Sequence, residues 1–281
     1  MPEYRTRFLR IARRAAYAVA AGVVFFVGAR SLARKVMFPG GASPFPDDLA
    51  RTWKAERLRF RTRDDLAAEA AYFVARGSSP TLVFFHGNAE AAADNLAFGA
   101  ALASRGFGVV LAEYRGYGGL SGRPSERNLY DDAECLLALL AERRVGSESL
   151  VLVGRSLGTG VATEMASRGR GRALVLVSPY TSMHDMASRF VPGVGPIAIA
   201  DAFDTASKLP ALTIPITIVH GEDDEVVPFS MGRALAEASP RARLIPLPRT
   251  GHNDIRGLDA LVADALRDDS GAGTPPTRHG K

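Results

Sequence analysis

Residues 154–158 read Gly154-Arg155-Ser156-Leu157-Gly158, a serine held between spaced glycines. The pentapeptide follows the apolar run LVLVG (150–154) and opens a stretch with helical periodicity. A serine on a sharp strand-to-helix turn has two uses. It can cap the helix, its side chain accepting from an open amide of the first turn. It can also be a nucleophile, with the flanking glycines relieving crowding in a strained turn and the hydroxyl presented at the sheet edge. Serine needs a base to react, and the chain offers five histidines. His279 lies in a polar tail and His184 in an irregular connection. His86 and His220 each precede a glycine at the end of an apolar run. His252 lies in RTGHND, after the last strand-like run and before the last helical one, where a loop reaches the carboxyl edge of a sheet. An acid to orient the imidazole is offered by HGEDDEVVP (220–228), with Glu222, Asp223, Asp224 and Glu225 as alternatives. An acyl-transfer intermediate also needs main-chain donors. The amide of Leu157 would be one. The small residues of HGNAE (86–90), after TLVFF, point to Asn88 as the other.

These residues need a scaffold that brings strand ends together. RLRFRT (57–62) and AAYFVA (70–75) read as a hairpin. TLVFF (81–85), GVVLAE (108–113), LVLVG (150–154), ALVLV (173–177), ITIVH (216–220) and RLIPL (243–247) are short runs, several apolar throughout, as strands buried on both faces are. Helical patterns lie near 90–104, 127–143, 157–168, 230–239 and 255–267. The alternation predicts an α/β fold with a mostly parallel, doubly wound sheet. The apolar, irregular stretch 181–210 breaks the rhythm and predicts a short cap over the sheet's carboxyl end. Its apolar residues Met183, Met186, Phe190, Val191, Ile197, Ile199 and Phe203 either pack the cap or face an acyl chain.

Five spaced motifs carry a resemblance. They are His86-Gly87-Asn88-Ala89, Tyr114-Arg115-Gly116-Tyr117-Gly118, Gly154 to Gly158, His220 to Pro228, and Gly251-His252-Asn253-Asp254. Together, from about residue 55 to 268, they resemble the α/β-hydrolase fold family, in its branch of single-domain, often membrane-anchored hydrolases. The resemblance implies Ser156 as nucleophile, Asp224 as acid and His252 as base, the chain order of that family. Acyl transfer to water by these residues would need no metal or organic cofactor. Glu113 stands where an aspartate usually precedes the YRGYG motif, a position expected to be structural.

The domains expected are a basic flank with a hydrophobic segment (1–35), the hydrolase domain (50–268) and a disordered tail (269–281). Hydrophobic residues at 47% and charged residues at 23% fit a globular body. Residues 1–35 carry eight basic residues and one acid, +7 of the total +5, which leaves −2 on the other 246. The body therefore gives no electrostatic footprint for nucleic acid. The lone Cys135 excludes a disulfide framework and reads as a small buried helix residue. Residues 15–29 are uncharged and would span about 22 Å as a helix, against a hydrocarbon core of ~30 Å, a gap that snorkelling of Arg30 narrows. Five arginines precede this segment and three basic residues follow it. That pattern favours a signal anchor with the domain on the non-cytoplasmic side. The alternative is a signal peptide cleaved after Val27-Gly28-Ala29, leaving a secreted or periplasmic protein. The function expected is hydrolysis of a carboxylic ester, thioester or lipid ester, with a small-molecule or lipid-like acyl substrate. The rivals are a non-catalytic membrane-tethered binding protein and a serine peptidase.

Overall fold

The computed structural model describes residues 37–190 and 199–271, with Val27, Gly28, Ser31, Arg34 and Lys35. Most of the hydrophobic segment, the cap residues 191–198 and the tail beyond 271 lie outside the described residues. So do the N-terminal helix, Val191, Ile197 and His279. Among the described residues, no helix is long and apolar enough to cross a membrane.

Among the described residues, eight strands form one sheet in the order β1-β2-β4-β3-β5-β6-β7-β8. They are β1 (Glu56–Arg61), β2 (Ala67–Phe73), β3 (Thr81–Phe85), β4 (Gly108–Ala112), β5 (Leu150–Arg155), β6 (Ala173–Val177), β7 (Ile216–Gly221) and β8 (Ala242–Leu247). β1 and β2 pair as the expected antiparallel hairpin, and β2 also runs antiparallel to β4. The remaining strands are parallel.

Side-chain alternation builds two cores. On β3, Leu82 and Phe84 enter one, and Val83 and Phe85 the other. β5 divides likewise, with Val151 and Val153 on the first side and Leu150 and Leu152 on the second. The first core is covered by α2 (Leu96–Ser104) and α7 (Leu258–Gly271). The second is covered by α3 (Glu126–Glu142), α4 (Leu157–Ser167) and α6 (Phe229–Glu237). α3 begins where the Ser125 hydroxyl accepts from the Asn128 amide, and it buries Leu129, Ala133, Leu136 and Leu140 at helical spacing. Cys135 corrects the sequence reading. It is half-buried, because one residue before Leu136 it falls on the flank of that apolar stripe.

Two helices carry no separate sequence signal: α1 (Leu49–Trp53) and α5 (Met183–Phe190), the latter inside the expected cap. Phe203, expected in the cap, is fully buried beside Phe38 and Tyr130. Met183 and Met186 pack against the same core. The packed body starts before residue 50, since Phe38, Phe45 and Leu49 are all buried. The segment 38–41 crosses the sheet's carboxyl edge, and the Gly41 carbonyl accepts from the Gly118 amide at 2.8 Å.

Candidate active site

Parallel strands deliver their carboxyl ends to one edge, and loops leaving that edge can meet. Ser156 follows β5, Asn88 follows β3, Asp224 sits in the turn after β7, and His252 lies between β8 and α7.

Ser156 sits at φ 49°, ψ −116°, a backbone conformation unfavourable for a residue with a Cβ. Packing imposes it. A Cβ on Gly158 would run into the Phe85 carbonyl, and one on Gly154 would meet the Gly158 carbonyl. The turn therefore presses α4 onto β3 with no room for side chains at either glycine. The Ser156 amide is fixed to the Val177 carbonyl at 2.9 Å. Its hydroxyl makes no capping hydrogen bond to α4, which removes the plain N-cap reading. It lies 3.1 Å from His252 Nε2 instead.

His252 Nδ1 lies 2.7 Å from Asp224 Oδ2. A carboxylate accepts, so Nδ1 carries the proton and Nε2 offers its lone pair to the serine hydroxyl. Asp224 Oδ1 accepts from the amides of Val226 (3.0 Å) and Val227 (2.7 Å). Burial pushes the Asp224 carboxyl up, but hydrogen bonds from His220 and His252, the latter's charge and the Val227 amide outweigh it and hold the group well below the usual carboxylate range. The other acids of that turn do not take this place. Glu222 and Asp223 are exposed, and Glu225 reaches only the His252 amide, at 3.4 Å. The two loops are sewn together by main-chain bonds from Glu222 to Leu247 and from Asp223 to Thr250.

A cavity of about 300 Å³ opens over Ser156, lined by Gly87, Asn88, Ala89, Glu90, Arg155, Val226, His252 and Asn253. Asn88 is half-buried, its side-chain oxygen accepting from the Tyr117 hydroxyl at 2.9 Å. Leu157 is the first residue of α4, where the amide has no acceptor inside the helix. His184 stands apart, its Nε2 on the Ile199 carbonyl. No group of three or more His, Cys, Asp or Glu that could hold a metal ion occurs among the described residues.

Two networks surround the site. In the first, Glu90 accepts from the Gly87 amide (2.6 Å) and pairs with Arg155 (3.1 Å), which in turn donates to Asn253 (3.1 Å). One ion pair thus ties the loop after β3, the serine turn and the histidine loop together. In the second, Glu113 is buried and uses both oxygens. Oε1 faces His86 Nε2 at 3.0 Å and accepts from the Tyr114 amide, while Oε2 accepts from the Ala92 amide. The first escaped the sequence reading, its only signals a charged residue inside each of two motifs, Arg155 in GRSLG and Glu90 at the end of HGNAE. The second falls on Glu113, which the sequence singles out as a structural position, and on His86.

The pattern of the family described as serine aminopeptidase, S33, matches residues 78–201. The uncharacterized protein Rv2307c of Mycobacterium tuberculosis is 31% identical over 256 residues, 89% of this chain and 90% of its own length. The chain belongs to the α/β-hydrolase superfamily. The human alpha/beta hydrolase domain-containing protein 17C is 38% identical over 185 residues, 64% of this chain and 55% of its own length. The chain thus spans a little over half of that α/β-hydrolase relative. Two solved α/β structures share the fold. An esterase of Rhodococcus superposes with a TM-score of 0.60 at 19% identity, covering 77% of this chain and 99% of its own. An esterase of Pyrococcus furiosus gives 0.64 at 14% identity, covering 82% and 97%.

Proposed function

We propose that this chain is a serine hydrolase acting on carboxylic esters, with thioesters and lipid esters as related substrates. The observation that carries the reading is the relay from Ser156 Oγ through His252 to Asp224, at 3.1 and 2.7 Å, on a strained turn that opens into a cavity. In this reading Ser156 attacks the acyl carbonyl while its proton passes to His252 Nε2. Asp224 holds the imidazole in the right tautomer and stabilises the imidazolium. The amides of Leu157 and Asn88 bind the oxyanion, each such donor contributing about 3 kcal/mol to the transition state. Collapse breaks the ester bond, and the imidazolium returns its proton to the departing alkoxide. Water, deprotonated by His252, then attacks the acyl-serine and releases the acid. None of these steps draws on a metal or organic cofactor. The volume of the cavity and the burial of Phe203 away from it favour small acyl groups. Residues 15–29 would attach the domain to a membrane on its non-cytoplasmic side. Carbonate extraction tests this, since release into the wash contradicts attachment.

A fluorophosphonate probe should label the wild-type chain and leave Ser156→Ala dark. p-Nitrophenyl esters of graded chain length should be turned over, and faster than aminoacyl p-nitroanilides. Full esterase activity in Ser156→Ala removes the proposed nucleophile, and preference for the anilides favours the peptidase reading.

A further inference from the structure

His220 has no part in the relay, yet it touches the same carboxylate. It is the second-last residue of β7 and is fully buried. Its Nε2 lies 2.9 Å from the Val227 carbonyl and 3.3 Å from Asp224 Oδ2. Both neighbours are acceptors, so Nε2 carries the proton and serves both. Nδ1 is left buried without a hydrogen-bond partner, and it faces Gly232 of α6 so closely that a Cβ there would collide with it. A leucine would fill this space with no orphaned nitrogen. The buried imidazole thus keeps one polar atom unpaired, which is unfavourable, to place one N–H against the 224–227 turn.

We propose that His220 is a positioning residue for the acid–base pair, fixing the place of Asp224 and sharing its Oδ2 with His252. The inference rests on the hydrolase reading for its kinetic consequence only. By holding the Val227 carbonyl, His220 fixes the turn whose Val226 and Val227 amides grip Asp224 Oδ1. By facing Oδ2, it competes with His252 for the negative charge there. Loss of that N–H leaves more charge for His252, so the His252 imidazolium is stabilised and the base becomes protonated at higher pH. The other charged groups around the pair are few. Glu225 reaches the His252 amide, Asp254 lies in the same turn, and the Arg155–Glu90 pair is joined through Asn253. Phe229 of α6 meets the His220 ring edge-on at 5.7 Å, while the charged Arg233 and Glu237 of that helix are exposed.

The test compares His220→Leu, which removes the donor, with His220→Gln, whose amide nitrogen can stand near the Nε2 position. Two readouts are followed on the full chain. One is the titration of the downfield NMR signal of the His252 Nδ1 proton, which needs no substrate. The other is the pH profile of p-nitrophenyl ester turnover. His220→Leu should raise the midpoint of the His252 signal by roughly half a pH unit and move the acidic limb of the rate profile with it. It should lower kcat roughly tenfold with KM within about twofold, since a misplaced acid costs rate rather than binding. His220→Gln should restore both. If His220→Leu fails to fold, His220→Asn takes its place, because its shorter amide cannot reach Asp224. An unmoved His252 titration in every donor-lacking variant overturns the proposal, as does a kcat loss that His220→Gln leaves uncorrected. A wild-type chain that resists the fluorophosphonate probe sinks the hydrolase reading instead, and the NMR titration still decides the role of His220.

Discussion

β3 runs into the dipeptide His86-Gly87 and β7 ends in His220-Gly221, and both imidazoles are fully buried. Their surroundings differ. His86 has both nitrogens occupied, Nδ1 on the Gly87 carbonyl at 2.7 Å and Nε2 on Glu113 at 3.0 Å. It stacks against Tyr114, with ring centroids 4.1 Å apart. Its acid is consumed by structure, because the remaining Glu113 hydrogen bonds go to the main chain at Tyr114 and Ala92. His220 has one nitrogen occupied and shares its acid with His252. A carboxylate whose hydrogen bonds are spent on one imidazole and the main chain holds a wall in place, whereas a carboxylate that faces a second imidazole passes changes on to the histidine beside Ser156. The same two residues at a strand end therefore build a fixed wall on one side of Ser156 and an adjustable electrostatic setting on the other.

The largest expected effects separate the two sides. Asp224→Asn should lower kcat/KM on the order of 10⁴-fold with the fold intact, because the imidazole loses the partner that sets its tautomer. His252→Ala should do at least as much. Glu113→Gln should act on stability instead, by about 3–5 kcal/mol in urea unfolding, since it breaks a buried charged network. The folded fraction should keep kcat within about tenfold. A Glu113→Gln protein with normal unfolding and a 10⁴-fold rate loss would abolish the distinction. Next in size is Gly158→Ala, whose Cβ meets the Phe85 carbonyl. It should cost about 2–4 kcal/mol, seen as a lower melting temperature. Smaller still is Asn253→Ala, which removes a tie to Arg155 at an exposed position. It should shift stability by about 0.5 kcal/mol and turnover by less than about threefold.

Acid pH gives the finest separation. The Asp224 carboxyl is depressed in the folded chain. Its contribution to stability is therefore present above the unfolded-state value of about 3.9 and is lost as pH falls through the lower folded-state value. Urea midpoints of wild type and Asp224→Asn should differ by a constant amount near neutrality and converge below about pH 3.9. A gap that widens towards acid would reverse the sign assigned to this carboxylate.

Apolar runs located the five strands β3 to β7, because strands buried on both faces have almost no polar positions, while β1, β2 and the half-buried β8 showed as β-rich runs of mixed polarity. α1 escaped because five residues are too short to show a period, and α5 because it lies within an irregular apolar stretch. The antiparallel β2–β4 pairing left no mark either, since Ala70, Ala71, Tyr72 and Phe73 read the same in either direction. Ser156 and His252 stood out by their flanking glycines and their places at element ends. Asp224 did not stand apart from Asp223 on composition. The motif resemblance pointed to Asp224, and the physical difference lies in the turn, with the Val226 and Val227 amides on one Asp224 oxygen and His252 on the other.

By itself, then, the sequence determined the sheet, its covering helices and the few residues with reactive chemistry, because hydrophobic period and glycine placement are local properties of the chain. Tertiary structure decided which charges meet. The Arg155–Glu90 pair and the His86–Glu113 wall join residues at the carboxyl ends of different strands, and the contact of His220 with Asp224 is made by the fold of one turn. Electrostatic energy depends on distance in space and on burial, and neither is written in the order of the residues.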